Sequence, residues 1–237
     1  MKPSFLTLLV AGLLGIPALP AADLIEVEPG IVTADLMKRR SSEYDYDVPK
    51  PGTYELPVLQ PAADGTVLGT NGAPVNLHDL MRGRVVVLSF IYTRCTDPKA
   101  CMRATGVLSE LQRLSRQIPG LADKLLLLTL SFDPAYDSPE VMARYGRVSL
   151  AYGNGAEWLF LTARDHKELT PLLTAYGQRV DKRKQADAHG PYYHPLRVYL
   201  IDPRQQVRNI YSFGLLDPRL VATDAQTLLM ETTAPAR

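Results

Sequence analysis

An α/β fold, with a central mixed sheet flanked by helices, is the architecture this sequence predicts, and three observations point to it. Two apolar runs, RVVVLSFIY at 84–92 and KLLLLTLSF at 124–132, are too short for typical helices and apolar on both faces, as strands inside a helix-covered sheet are. Each run is followed by a segment of helical periodicity, so the strands are joined by crossovers and run parallel. Near the C-terminus, LRVYLID at 196–202 and VRNIYSF at 207–213 flank the turn DPRQQ, which adds an antiparallel hairpin.

Taken in order, TYELPVL at 53–59 reads as a short strand, and DGTVLGTNGAPVNL after it has the glycine, asparagine and proline punctuation of turns. The first central strand, 84–92, leads into a loop and then a helix at 101–117, where Val107, Leu108, Leu111 and Leu114 share a face and Pro119-Gly120 is the stop. The strand 124–132 is followed by DPAYDSPEVMARYG, in which Ser138 is an N-cap with Pro139 in the first turn. WLFLT at 158–162 is the third strand, and Asp165 caps the helix HKELTPLLTAYG in spite of Pro171. A polar stretch, QRVDKRKQADAHGPYYH, reads as a loop before the hairpin, and a last helix spans 217–230. Strand–helix alternation ending in a hairpin and a helix is the thioredoxin-like arrangement.

The chain of 237 residues divides into a signal peptide (1–22), an extended N-terminal tail (23–51), the α/β domain (52–232) and a C-terminal tail (233–237). Lys2, an apolar segment of about 15 residues and the small residues of PALPAAD have the layout of a secretory leader, too short for the roughly 20 residues that span a bilayer. Cleavage near Ala21 or Ala22 and a periplasmic or otherwise exported destination follow. Pro20 in the minus-three position leaves an uncleaved membrane anchor as the alternative. A net charge of +1 offers no reason to expect nucleic acid as a partner.

The chain has two cysteines, both in CTDPKAC at 95–101. A disulfide across so short a loop would stabilise by only about 2–2.5 kcal/mol, which a domain of this size does not need. Within one helix, residues six apart point about 240° away from each other, so the sulfurs of Cys95 and Cys101 converge only if TDPKA is not helical. Pro98 secures that by disfavouring helical geometry at Asp97. Cys95 then lies in the loop and Cys101 in the first helical turn, where free N–H groups favour a thiolate; Arg94, Lys99 and Arg103 push the same way.

Two soft thiolates select copper(I) or zinc and leave room for an imidazole. Of the four histidines, His78, His166 and His189 lie in surface contexts, whereas His194 ends the polar loop directly before LRVYLID and faces the domain edge that holds the cysteine loop. Asp133 and Asp137 shape the turn after the second strand, with a supporting role near the cysteine loop as the alternative. Met102 reads as a helix-face residue and Trp158 as core.

FIYTRC, SFDPAYDSPEVMARY, WLFLT and H-PLRVYLIDP, in this order, resemble the Sco (SenC) family of copper chaperones for cytochrome oxidase assembly, over residues 52–230. The resemblance implies a thioredoxin-like fold and one copper ion, Cu(I) or Cu(II), held by Cys95, Cys101 and His194, the histidine five residues before Tyr199. It also implies a copper-receiving oxidase subunit or another exported copper protein as partner, and a thiol reductant to keep the cysteines reduced. The chain departs from the family pattern in spacing its cysteines CxxxxxC, with Met102 next, and in placing Tyr193 before the histidine where the family has aspartate. An exported thiol–disulfide oxidoreductase, with Cys95 and Cys101 as its redox pair, is the alternative.

Overall fold

In the sequence VVVLSFI every side chain is buried, on both faces of the strand it forms, which is what places that strand at the middle of the sheet. The computed structural model of the protein describes residues 44–151, 154–187 and 190–233. The leader at 1–22, the tail up to residue 43, His189 and residues 234–237 lie outside the described residues. In chain order the elements are β1 (Gln60–Pro61), β2 (Thr66–Leu68), β3 (Pro74–Asn76), α1 (Leu77–Met81), β4 (Val85–Ile91), α2 (Cys101–Ser115), α3 (Leu121–Lys124) and β5 (Leu125–Ser131). They continue with α4 (Pro139–Ala151), β6 (Glu157–Leu161), α5 (His166–Ala175), β7 (Asp181–Asp187), β8 (Gly190–Tyr193), β9 (Val198–Ile201), β10 (Gln206–Tyr211) and α6 (Pro218–Thr233).

The main sheet has the order β1-β10-β9-β4-β5-β6. Strands β4, β5 and β6 run parallel, β9 pairs antiparallel with β4, and β10 and β1 continue antiparallel beyond it, so the sheet is mixed. The predicted caps form: the Asp165 side chain accepts from the Glu168 N–H at 2.9 Å, and Ser138 Oγ accepts from the Val141 N–H at 3.4 Å. Trp158 is a core residue, stacked on Phe160 with its indole N–H donating to Thr129 Oγ1 at 3.0 Å.

Register decides what meets at each end of the sheet. Val198, the first residue of β9, pairs with Ser89 near the end of β4, and Tyr211, the last residue of β10, pairs with Val198. The segments that follow β4, β5 and β10, and the one that precedes β9, therefore emerge at the same end. Cys95, Asp133, His194 and the 212–217 loop all belong to those segments.

Three expectations are corrected. Residues 53–59 form no strand: Pro57 has no N–H to give a ladder, and pairing with β10 is confined to Gln60–Pro61 and the Leu59 N–H. The punctuated stretch after it contains the small hairpin β2–β3, closed by a turn with Gly72 at φ 75°. The polar stretch before His194 is a two-stranded antiparallel ribbon, β7–β8. It packs too little apolar surface to leave a period-two pattern in the sequence.

Candidate metal centre

β4 delivers the chain to the site, and the loop after it is tied by short-range bonds. The Cys95 N–H donates to the Tyr92 carbonyl at 3.2 Å and the Lys99 N–H to Asp97 Oδ1 at 2.8 Å. Pro98 disfavours helical geometry at Asp97, and α2 starts at the second cysteine, Cys101. Both cysteines are buried and free.

His194 follows the last residue of β8 and reaches in from the other side. Its Nε2 lies 3.9 Å from Cys95 Sγ and 3.6 Å from Cys101 Sγ, and the three donor atoms are all within 4.8 Å of one another. Phe132 and Tyr92 wall the imidazole, with ring centroids 4.9 and 5.7 Å from it. Its Nδ1 is buried without a hydrogen-bond partner among the described residues, so Nε2 is the nitrogen that faces the sulfurs.

The two thiols are unequal. Cys95 is pulled from the usual 9.0 down to about 4, first by a hydrogen bond from the Cys101 thiol and then, against the opposing effect of burial, by His194 and the N–H groups of Cys101 and Asp97. Cys101 is pushed far up, first by burial and then by the Cys95 sulfur beside it. This corrects the expectation of two thiolates favoured by the helix start and neighbouring cations. The first N–H of α2 favours the thiolate at both sulfurs but is outweighed at Cys101 by burial and by the Cys95 sulfur, while Arg94 is turned to Asp133 at 2.7 Å and Arg103 to the Tyr44 hydroxyl and the Leu216 carbonyl.

Behind the donors lies a polar network that sequence reasoning saw only in part. Buried Asp133 accepts from Arg94 on the cysteine loop and, at 2.9 Å, from the Tyr192 hydroxyl on β8, so one carboxylate ties together the segments that carry Cys95 and His194. Asp137, also buried, accepts from the Thr93 N–H at 3.0 Å and from the Ser131 hydroxyl. The aspartates thus do more than shape a turn. The hydroxyl of Tyr92 donates to the Cys95 sulfur, and burial, then the charge of the Cys95 and Cys101 sulfurs, and then this bond drive the phenol's own pKa upward. Nothing in the sequence marks Tyr92, Phe132 or Tyr192 as neighbours of the site, because their meeting depends on sheet register.

His78 and His166 stay away from the site. His78 lies in α1 with Nε2 2.9 Å from the Ala62 carbonyl, and His166 is exposed at the start of α5. Met102 is 55% exposed and lines a groove with Tyr44 and Pro98. Tyr199 points into the core, its hydroxyl donating to the Tyr176 carbonyl at 2.9 Å.

Fold and site together define a thioredoxin-like domain with two cysteines and one histidine converging at the mouth of its central strand. The SCO1/SenC family model matches residues 63–230, and the chain belongs to that family. Among solved structures it is similar to copper-bound ScoI of Bradyrhizobium japonicum, at 22% identity and TM-score 0.56, covering 70% of this chain and 98% of that one. Copper-bound ScoI of Arabidopsis thaliana is similar at 16% identity and TM-score 0.61, covering 72% and 98%. Yeast Sco1 with copper bound is similar at 18% identity and TM-score 0.56, covering 75% and 92%. No curated protein matches.

Proposed function

We propose that this chain is an exported copper metallochaperone that carries one copper ion on Cys95, Cys101 and His194. Its task is to deliver the ion to the copper site of a respiratory oxidase subunit, or to maintain the thiols of that site. The observation that carries the reading is the donor set itself: two free sulfurs and one imidazole nitrogen within 4.8 Å, the only such cluster among the described residues. Soft sulfur donors suit copper(I), and the imidazole suits either copper oxidation state. Copper-bound members of the same family support the choice of metal. Cargo of this kind requires reduced cysteines, so an exported thiol reductant belongs to the cycle.

Titration of the reduced protein with copper(I) and copper(II) tests the reading. One ion per chain is expected, lost or much weakened in Cys95→Ser, Cys101→Ser and His194→Ala; stoichiometric binding that survives all three substitutions would sink it.

The inequality of the thiols favours a second reading, an exported thiol–disulfide oxidoreductase. The Cys95 thiolate would attack a substrate disulfide and release one substrate thiolate. Cys101 would then give up its proton and attack Cys95 Sγ, releasing the second substrate thiolate and leaving a Cys95–Cys101 disulfide for the thiol reductant to reduce. Insulin reduction that needs both cysteines, is indifferent to His194 and proceeds without stable metal binding would favour this alternative.

A further inference from the structure

Three cation–aromatic pairs surround the site, and each has a member within two residues of one of the donors. The Arg94 guanidinium, next to Cys95, sits 4.0 Å from the ring centroid of Tyr136; Lys99, two residues before Cys101, has its Nζ 5.9 Å from that of Phe213. The Arg183 guanidinium sits 5.4 Å from the ring centroid of Tyr193, next to His194. The rings come from three different segments, and all three are exposed, Tyr136 to 50%, Tyr193 to 61% and Phe213 to 44%. Register accounts for the gathering: Tyr136 follows β5, Phe213 follows β10 and Tyr193 ends β8, at the end of the sheet where β4 delivers Cys95.

Exposed aromatics that ring a functional centre, each already held by a cation, have the composition of an interface: tyrosine, phenylalanine and arginine are enriched there, and rigid rings lose little entropy on contact. Two of the three rim cations are paired within the chain, and the third is left to face a partner. Arg94 is neutralised from beneath by the buried carboxylate of Asp133, Arg183 is paired with Asp187, and Lys99 forms no ion pair among the described residues.

We infer that this rim is the docking face for the protein that receives the copper, and that the recipient presents an apolar surface with a carboxylate opposite Lys99. The inference rests on the copper-delivery reading. A protein fits better than an anionic membrane. Transfer requires the recipient's own metal-binding side chains to approach Cys95, which is only 7% exposed, and lipid headgroups offer no soft donor. Two of the three cations are also already paired with carboxylates, which leaves little charge to hold anionic headgroups.

The full chain, loaded with copper(I), is titrated with the copper-free copper-binding domain of a respiratory oxidase subunit, at low and high salt, and copper transfer is followed. The variants are Lys99→Glu, the triple Tyr136→Ser/Tyr193→Ser/Phe213→Ser, and a control, Val58→Ser/Leu59→Ser. The control residues are 60% and 50% exposed, and the Leu59 N–H bonds the Val207 carbonyl at the end of β10 remote from the site. All four proteins are expected to load one copper. Wild type and control bind alike and weaken with salt, whereas Lys99→Glu and the triple variant bind about tenfold or more weakly. Loaded rim variants that bind and deliver as wild type does would overturn the docking face while leaving the delivery reading intact. A wild type that loads no copper, or loads it and engages no oxidase domain, overturns the delivery reading and the docking face with it. Sedimentation with phosphatidylglycerol vesicles that is lost in the rim variants, with the protein complex unaffected, overturns the face in favour of lipid.

Discussion

Cys101 Sγ and His194 Nε2 stand 3.6 Å apart although 93 positions separate them along the chain. The helix holding the cysteine starts where Pro98 permits, and the histidine is carried in by the β7–β8 ribbon and held by the pairing of β9 with β4. What tunes that contact is therefore found in the residues through which the two segments meet.

Gly190 is one of them. It sits at φ +107°, and a Cβ there would lie 2.3 Å from the Tyr92 hydroxyl. Gly190→Ala is expected to push the ribbon off Tyr92 and weaken copper(I) binding at least about tenfold, with a local cost on the order of 1–2 kcal/mol. Adding Tyr92→Phe removes the closest clashing atom and should recover part of the affinity. Competition titration reads both; an alanine variant that binds as wild type does would refute the close approach.

Asp133 is a second. Asp133→Ala unties Arg94 from Tyr192 and should lower copper affinity about 10–100-fold while one ion per chain still binds. Asp133→Asn, which keeps an acceptor for Tyr192, should fall between the two. Equal affinities for all three proteins would mean that the carboxylate shapes the turn and nothing else.

Thiol reactivity carries a pH signature. With Cys95 lowered to about 4, the reduced, metal-free protein should be alkylated by iodoacetamide at Cys95 almost as fast at pH 6 as at pH 8, with Cys101 slow throughout. The linkage sign follows. A folded-state value below the unfolded 9.0 stabilises fully above pH 9, progressively less as pH falls, and not at all below about 4. Unfolding of the reduced protein should thus lose more stability between pH 8 and 5 than unfolding of Cys95→Ser; parallel pH curves would contradict this. Mass spectrometry after timed alkylation reads the first outcome and denaturant titration the second.

The core should respond independently of the site. Leu128 is fully buried in β5 between β4 and β6, and Leu128→Ala is expected to cost about 2–5 kcal/mol in denaturant unfolding. Copper stoichiometry should not change below the transition. A cost under about 1 kcal/mol would mean that the sheet centre is not packed as described.

Much of the fold was legible because buried parallel strands and capped helices leave local signals. VVVLSFI and LLLLTLS are apolar throughout, and Ser138, Asp165 and Pro119-Gly120 mark helix ends by chemistry that acts within a few residues. The ribbon β7–β8 was missed because its strands are mostly solvated and its pairing shifts register between Lys182 and Asp187. The unequal thiols were missed because burial, more than the helix-start N–H that acts on both sulfurs, sets them apart, and the spacing of CTDPKAC alone does not say which sulfur lies deeper.

Residue chemistry and local backbone rules were enough to determine the α/β class and a non-helical link between Cys95 and Cys101, and the family resemblance in the sequence added His194 as the third candidate donor. Tertiary structure alone decided that Cys95 is the thiolate and Cys101 the buried thiol, that Asp133 joins their loop to the histidine's ribbon, and that three exposed rings gather around the opening. The reason is physical. Caps and periodicities act over one or two turns of chain, whereas burial, hydrogen-bond direction and the company of a side chain are set by strand register, which brings together residues with no local relation.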